Sequence, residues 1–253
     1  PTLHAIQHVT INSSARHQLA RRKGVVSTII PNVMHFEKPA PGIDDYNRDL
    51  RDVLGISKDQ IFVLQPTRVV QRKGIEHAIE LLARLDMDAV LVISHAAGDE
   101  GYEYEKRLRE YAEMMTVRTI FAADIFDEKR GRTPDGNKVY SLWDAYPHAD
   151  LVTYPSLIEG FGNAFLEAVY FKKPIVVNNY TIYNIDIRTK GFDVIEFDDF
   201  ITEQTVATTR RILTNPGEVA RMTDHNYSLA LKYYSYRVLK TRLEELIENL
   251  VWF

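Results

Sequence analysis

The stretch PSLIEGFGNAFLEAVYFKKPIVV, residues 155–177, decides how the rest of the chain is read. It holds, in order, a glycine-bearing turn, an apolar helix pattern and a valine-rich strand. Upstream, ADLVTY (149–154) is a strand that Pro155 and Ser156 end. The turn Glu159-Gly160-Phe161-Gly162 then leads into the helix NAFLEAVYF, with Gly162 or Asn163 as its cap; its glycines permit close backbone approach or unusual dihedrals. Glu159 falls before the helix and Glu167 in its second turn. Two readings stay open at this point. The carboxylates are solvated charges, or they accept hydrogen bonds from the hydroxyls of one ligand above the carboxyl edge of a sheet.

Outward from this stretch, short β-branched runs alternate with amphipathic segments. Strands are expected at 8–11, 27–30, 61–66, 89–94, 118–123, 149–154, 174–177 and 193–197. Between them, Ile75, Ala78, Ile79, Leu82 and Leu85 recur at helical spacing, and 103–115, 139–146 and 163–171 also read as helices. Strands separated by helical crossovers pair in parallel through right-handed βαβ units, so the expected fold is α/β, a Rossmann-like doubly wound sheet. The run EKRGRTPDGNK (128–138) is expected to be an exposed loop, and Leu239, Leu243, Leu246, Ile247 and Leu250 a long amphipathic helix that needs a surface to cover.

Composition narrows the function. The chain has 253 residues, 45% hydrophobic and 26% charged, in the range of globular proteins. A net charge of −4 argues against a nucleic-acid surface while leaving room for a local phosphate pocket. The absence of cysteine excludes disulfides, thiolate metal sites and thiol nucleophiles, and fits a cytoplasmic location. No run is long enough to span a membrane, and the opening residues lack a signal-peptide pattern. The histidines lack metal-ligand spacing. His95 and His148 fall near strand ends, where they can line a pocket or serve as caps.

A second candidate element is TRVVQRKG (67–74), between the strand IFVLQP and the helix that starts at Gly74. A strand-to-helix turn aims backbone amides above the sheet edge. Arg68 as a two-pronged donor and Lys73 as a point charge can there hold a diphosphate, or can be two solvated cations.

Taken in chain order, these pieces resemble the nucleotide-sugar-binding half of the family 4 retaining glycosyltransferases, which have the GT-B fold. The matching residues are Thr67-Arg68 through Lys73-Gly74, Pro155-Ser156, Glu159 to Gly162, Glu167-Ala168 and Lys173 to Val176. Trp143 to Tyr146 leading into Ala149 to Val152, and Ile30-Pro31-Asn32, are similar too. The resemblance spans residues 8 to 248. It implies that Arg68 and Lys73 bind the donor diphosphate and stabilise the leaving nucleotide, that Glu159 contacts the donor sugar, and that Glu167 contacts the ribose. Backbone around Gly160, Phe161, Gly162, Asn163, Ala164 and Phe165 would meet sugar or phosphate. The implied chemistry is metal-independent, needs no cofactor, and uses a nucleoside diphosphate sugar as donor substrate.

The resemblance also implies a domain plan. Residues 1–35 would be the remnant of an amino-terminal acceptor domain and its linker, 36–232 the donor domain, and 233–253 a helix that crosses back. On that plan the chain is a carboxyl-terminal part with little turnover alone, the acceptor being bound mainly by the other domain. Two departures stand out. NNYTIYNIDIRTKGF (178–192) replaces the family's glycine-rich loop, with Tyr180, Tyr183 and Asp186 in it, and apolar Leu157-Ile158 precede Glu159. Alternatives are a non-catalytic sugar-nucleotide-binding module and a pyridoxal-dependent glycan phosphorylase of the same fold.

Overall fold

The computed structural model describes residues 6–97 and 102–251. The expectations placed on Pro1–Ala5, Trp252 and Phe253 lie outside that range. At the start, β1 (Val9–Thr10) and β2 (Thr28–Ile29) pair in parallel around helix α1 (Ser13–Lys23). Helix α1 buries none of its side chains; Asn12 caps it by accepting from the Ala15 amide at 2.7 Å, and Gly24 ends it at φ +64°. A short helix α2 (Leu50–Val53) precedes the main sheet.

That sheet is built from β3 (Ile61–Gln65), β4 (Ala89–Ile93) and β5 (Thr119–Phe121), followed after an excursion by β9 (Leu151–Tyr154), β10 (Ile175–Asn178) and β11 (Ile195–Phe197). The excursion holds the short strands β6 (Phe126–Asp127), β7 (Gly131–Arg132) and β8 (Lys138–Ser141). In the sheet the order is β11-β10-β9-β3-β4-β5, every pair parallel. The chain therefore winds outward from β3 in one direction and from β9 in the other, the dinucleotide-binding order, with its switch point between β3 and β9.

Strand alternation sorts the core onto two faces. Phe62 and Leu64 of β3, Val90 and Val92 of β4 and Val177 of β10 point one way, into a cluster with helix α6 (Asn163–Tyr170) and the buried tyrosines 146, 154, 180, 183 and 234. Val63, Leu91 and Val176 point the other way. They meet α3 (Ile75–Leu85), α4 (Tyr102–Met114), α7 (Glu203–Leu213) and α8 (Pro216–Tyr233). Both faces are covered, which is why these strands read as continuous apolar runs.

Three expectations need correction. Residues 139–146 are not one helix. The alternation Lys138-Val139-Tyr140-Ser141 makes β8, and only α5 (Leu142–Ala145), with a Ser141–Asp144 capping box, is helical before a 3₁₀ turn at Tyr146–His148. The supposed loop 128–138 closes as a hairpin, because β7 pairs antiparallel with β8. Tyr233 ends α8 instead of opening the last helix. The helix is interrupted at Tyr234 and Ser235, where the Met34 amide donates to the Tyr234 carbonyl at 2.9 Å, and α9 (Tyr236–Val251) follows. On α9, Leu246 is buried while Leu243 and Ile247 remain exposed, so its apolar face is only partly covered among the described residues.

Candidate functional site

The loops that leave β3 and β9 at the switch point build one cavity of about 430 Å³. Gln65, the last residue of β3, is fully buried; it donates to Thr67 Oγ1 at 2.8 Å and accepts from Thr153 Oγ1 at 2.6 Å, fixing the β3 loop against β9. The loop then makes a 3₁₀ turn, Gln71–Lys73, and reverses at Gly74 with φ +58°. A Cβ at Gly74 would sit 2.6 Å from the Pro155 carbonyl oxygen, so only glycine lets the two loops cross this closely. The Leu157 amide donates to the Arg72 carbonyl at 2.9 Å and closes the same contact.

This crossing sets Lys73 against Glu159. Their ammonium and carboxylate form a direct ion pair with each side chain about 10% exposed, and Arg72 adds a second cation 3.7 Å from Glu159. Burial pushes the Lys73 ammonium below its ordinary pKa, and the Glu159 charge opposes that shift. Arg68 is exposed at the cavity's edge and forms no ion pair among the described residues. His95, half-buried across the cavity, bonds Ser94 Oγ through Nδ1 at 2.8 Å; burial first, then the Arg68 and Lys73 charges, lower its pKa.

The other wall is the start of α6. Gly162 caps it with φ +131°, and among the described residues no side chain takes its first amides. A Cβ at Gly162 would lie 2.5 Å from the Tyr180 hydroxyl, which itself donates to the Phe161 carbonyl at 2.8 Å. Asn163 is tied to Asn32, whose Nδ2 donates to its Oδ1 at 2.7 Å. One turn into α6, Glu167 accepts from the Tyr146 hydroxyl at 2.7 Å. Burial raises the Glu167 pKa, with the Tyr146 bond working in the opposite direction. An N-terminal contact completes the turn: Asn12 Nδ2 donates to the Gly160 carbonyl.

Of the residues singled out from sequence, Arg68, Lys73, Glu159, Gly160, Phe161, Gly162, Asn163, Ala164 and Glu167 all line this cavity. Phe165 does not. Its ring is fully buried against Tyr183 and Phe192, and its amide is already donated to Gly162 O at 3.1 Å. The α3 terminus behind Lys73 is also closed to a ligand at its first amide, because Ile75 donates to the Tyr104 hydroxyl at 2.9 Å and that hydroxyl donates to Glu76. Gly160 needs no special conformation, since a Cβ there meets only Ile11 at 3.9 Å. His95 reaches the cavity, whereas His148 is buried, with Nε2 2.9 Å from the Asn47 carbonyl. Sequence reasoning missed Tyr146, Asn32 and Asn12 as supports. Tyr180 was visible only as a residue standing where the family pattern has glycine.

No protein-family model matches the chain. Mannosylglucosylglycerate synthase of Petrotoga mobilis is 38% identical over 209 residues, covering 75% of this chain and 48% of that protein. The protein of the same name from Thermotoga maritima is 30% identical over 280 aligned positions, covering 98% of this chain and 62% of that protein. The chain thus spans about half to three fifths of the length of these curated relatives. Among solved structures, a glycosyltransferase from Rickettsia africae superposes with a TM-score of 0.77 at 14% identity, over 98% of this chain and 64% of that one. The UDP-glucose complex of HepE from Anabaena gives 0.72 at 15% identity, over 96% and 63%. These likenesses establish the fold: the six-stranded parallel sheet is of the kind found in GT-B glycosyltransferases.

Proposed function

We propose that this chain is the donor-binding part of a retaining, metal-independent glycosyltransferase of family 4, acting on a nucleoside diphosphate sugar. The observation that carries the reading is the convergence on one cavity of Arg68, Lys73, the start of α6, which no side chain caps among the described residues, and the carboxylates Glu159 and Glu167.

Their chemistry divides by charge. A diphosphate needs cations and amide donors, and Arg68 with the first α6 amides supplies both without a side-chain competitor. Lys73, held by Glu159, adds charge where the glycosidic bond to phosphate breaks, so negative charge growing on the departing nucleotide is met by groups already in place. The acceptor hydroxyl forms the new bond to the anomeric carbon as the bond from that carbon to the phosphate oxygen breaks, and its proton passes to that oxygen of the departing nucleoside diphosphate. Glu159 keeps lone pairs for donor-sugar hydroxyls. Glu167, held by the Tyr146 hydroxyl and by the Trp143 side chain, keeps lone pairs to offer a ribose hydroxyl.

The relatives' name supports a specific sugar and acceptor, namely a mannosyl group passed to glucosylglycerate, and the HepE complex supports a uridine nucleotide as one base to test. Turnover is expected to need an acceptor-binding domain opposite this pocket. Calorimetry with UDP, GDP and their glucose and mannose conjugates tests the donor site. Lys73→Ala and Glu167→Ala should each weaken binding by about tenfold or more, the size of one lost charge-assisted hydrogen bond, with no effect of a metal chelator. If no nucleotide binds, or if both variants bind as wild type does, the donor-site assignment fails.

A further inference from the structure

A second cavity, of about 580 Å³, opens beside the first, between the amino-terminal segment, the turn after β10 and the α8–α9 junction. Ile11 and Phe161 face both cavities, so a thin wall of two side chains separates them. Its floor is apolar and aromatic, with Ile29, Pro31, Phe161, Tyr233 and Tyr234.

Charge in this cavity is lopsided. Lys190, Lys232, Arg237 and Arg242 line it against two carboxylates, Asp186 and Glu245. Both carboxylates have other work. Asp186 accepts from the Ser13 amide at 2.9 Å and from the Ser13 hydroxyl, and Glu245 lies 3.1 Å from Arg242. The Lys190 ammonium donates to the Asp186 carbonyl and lies 5.7 and 5.6 Å from the ring centres of Tyr233 and Tyr234. Lys232 sits 5.0 Å from the Tyr233 ring centre. Among the described residues Lys190, Lys232 and Arg237 form no ion pair, although the chain as a whole carries a net charge of −4. Three cations gathered over an aromatic floor suit a ligand with a hydroxylated, partly apolar body and an anionic head.

We infer that this cavity is the acceptor subsite, in which Lys190, Lys232 and Arg237 hold the carboxylate or phosphate of a hydroxylated organic acid beside the donor sugar. The inference rests on the donor reading above and adds where the acceptor's charge goes. It assigns part of acceptor recognition to residues of this chain.

Titration calorimetry on the chain saturated with UDP tests it, using glucosylglycerate, glucosyl-3-phosphoglycerate and uncharged glucosylglycerol as probes. The acids should bind alongside UDP, and glucosylglycerol at least about tenfold more weakly. Tighter binding of the phosphorylated probe assigns the cations to a phosphate, tighter binding of the other to a carboxylate, and either supports the subsite. Lys232→Ala/Arg237→Ala, both at exposed positions, should lose about tenfold or more for the acids and leave UDP affinity unchanged, and Arg237→Lys should recover most of the loss relative to Arg237→Ala. Lys73→Ala should do the reverse, weakening UDP alone. Acid binding that is absent, that UDP displaces, or that survives unchanged in the double variant overturns the subsite while the donor reading stands. Failure of UDP itself to bind wild type overturns the donor reading and this inference with it.

Discussion

Replacing Gly162 with alanine should damage both the fold and the proposed donor pocket, and the size of the effect follows from two separate costs. The residue sits at φ +131°, a region L-residues avoid, so a side chain there costs about 1–3 kcal/mol. The new Cβ would lie 2.5 Å from the Tyr180 hydroxyl, which must then leave the Phe161 carbonyl, and stranding that buried pair costs about 1–3 kcal/mol more. The total of about 2–6 kcal/mol corresponds to a Tm lower by about 5–20 °C at this chain length. Nucleoside diphosphate affinity should fall too, because Gly162 orients the first turn of α6. Thermal unfolding of wild type, Gly162→Ala, Tyr180→Phe and the double variant forms a cycle. With the hydroxyl gone the clash is relieved, so the double variant should be less destabilised than the sum of the singles by about 1–2 kcal/mol. A Gly162→Ala protein melting within about 1 °C of wild type, or additive penalties in the cycle, would refute the reasoning.

Three other outcomes are expected. Lys73→Met should cost up to about 3 kcal/mol of stability, less than the about 3–5 kcal/mol of a fully unpaired buried carboxylate because Arg72 stays 3.7 Å from Glu159, whereas Lys73→Met/Glu159→Leu should recover most of it; equal melting of the single and double variants would contradict the pairing. Glu167 has a pKa raised above 4.5, so its contribution to stability is complete below that value and is lost as pH rises through the raised one. The Tm advantage of Glu167→Gln over wild type should therefore grow with pH across that window in melts from about pH 4 to 8, and an advantage that shrinks would sink the assignment. Tyr104→Phe should lower Tm by a few degrees, since the buried Ile75 amide loses its acceptor, yet leave UDP affinity intact; a change in affinity would mean the α3 terminus reaches the ligand.

Most of the sheet was legible because its strands are buried on both faces and carry unbroken apolar runs, as in Phe62 to Leu64 and Val90 to Ile93. The motif residues were legible as a set because β3 and β9 are neighbours at the switch point, which brings loops 86 residues apart into one wall. What failed did so for local reasons. Residues 138–141 alternate with period two, but Leu142 to Tyr146 extend an apolar spacing that also fits a helix. Helix α7 buries Thr205 and Thr209, polar residues that hide its inward face from a hydrophobicity pattern. The Tyr104 bond to Ile75 joins residues 29 apart, and no local signal announces that a helix end is already occupied. Conversely, Phe165 follows the glycine turn in the motif but points down into the core, because helical geometry turns successive side chains about 100° apart.

The crossing of Gly74 under Pro155, locked by the Leu157 amide on Arg72, has a mechanical consequence. The cation-bearing and carboxylate-bearing loops are joined at that point, so a shift of one carries the other with it. Across the pocket lies the amino-terminal segment, fastened to the turn by the buried Asn12 on Gly160 and to α6 by Asn32 on Asn163, the second an exposed contact that water can replace. The same segment is also held to the turn after β10, where the Ser13 amide and hydroxyl both donate to Asp186, so a pulling force applied to residues 11–32 would load the pocket wall and that turn together.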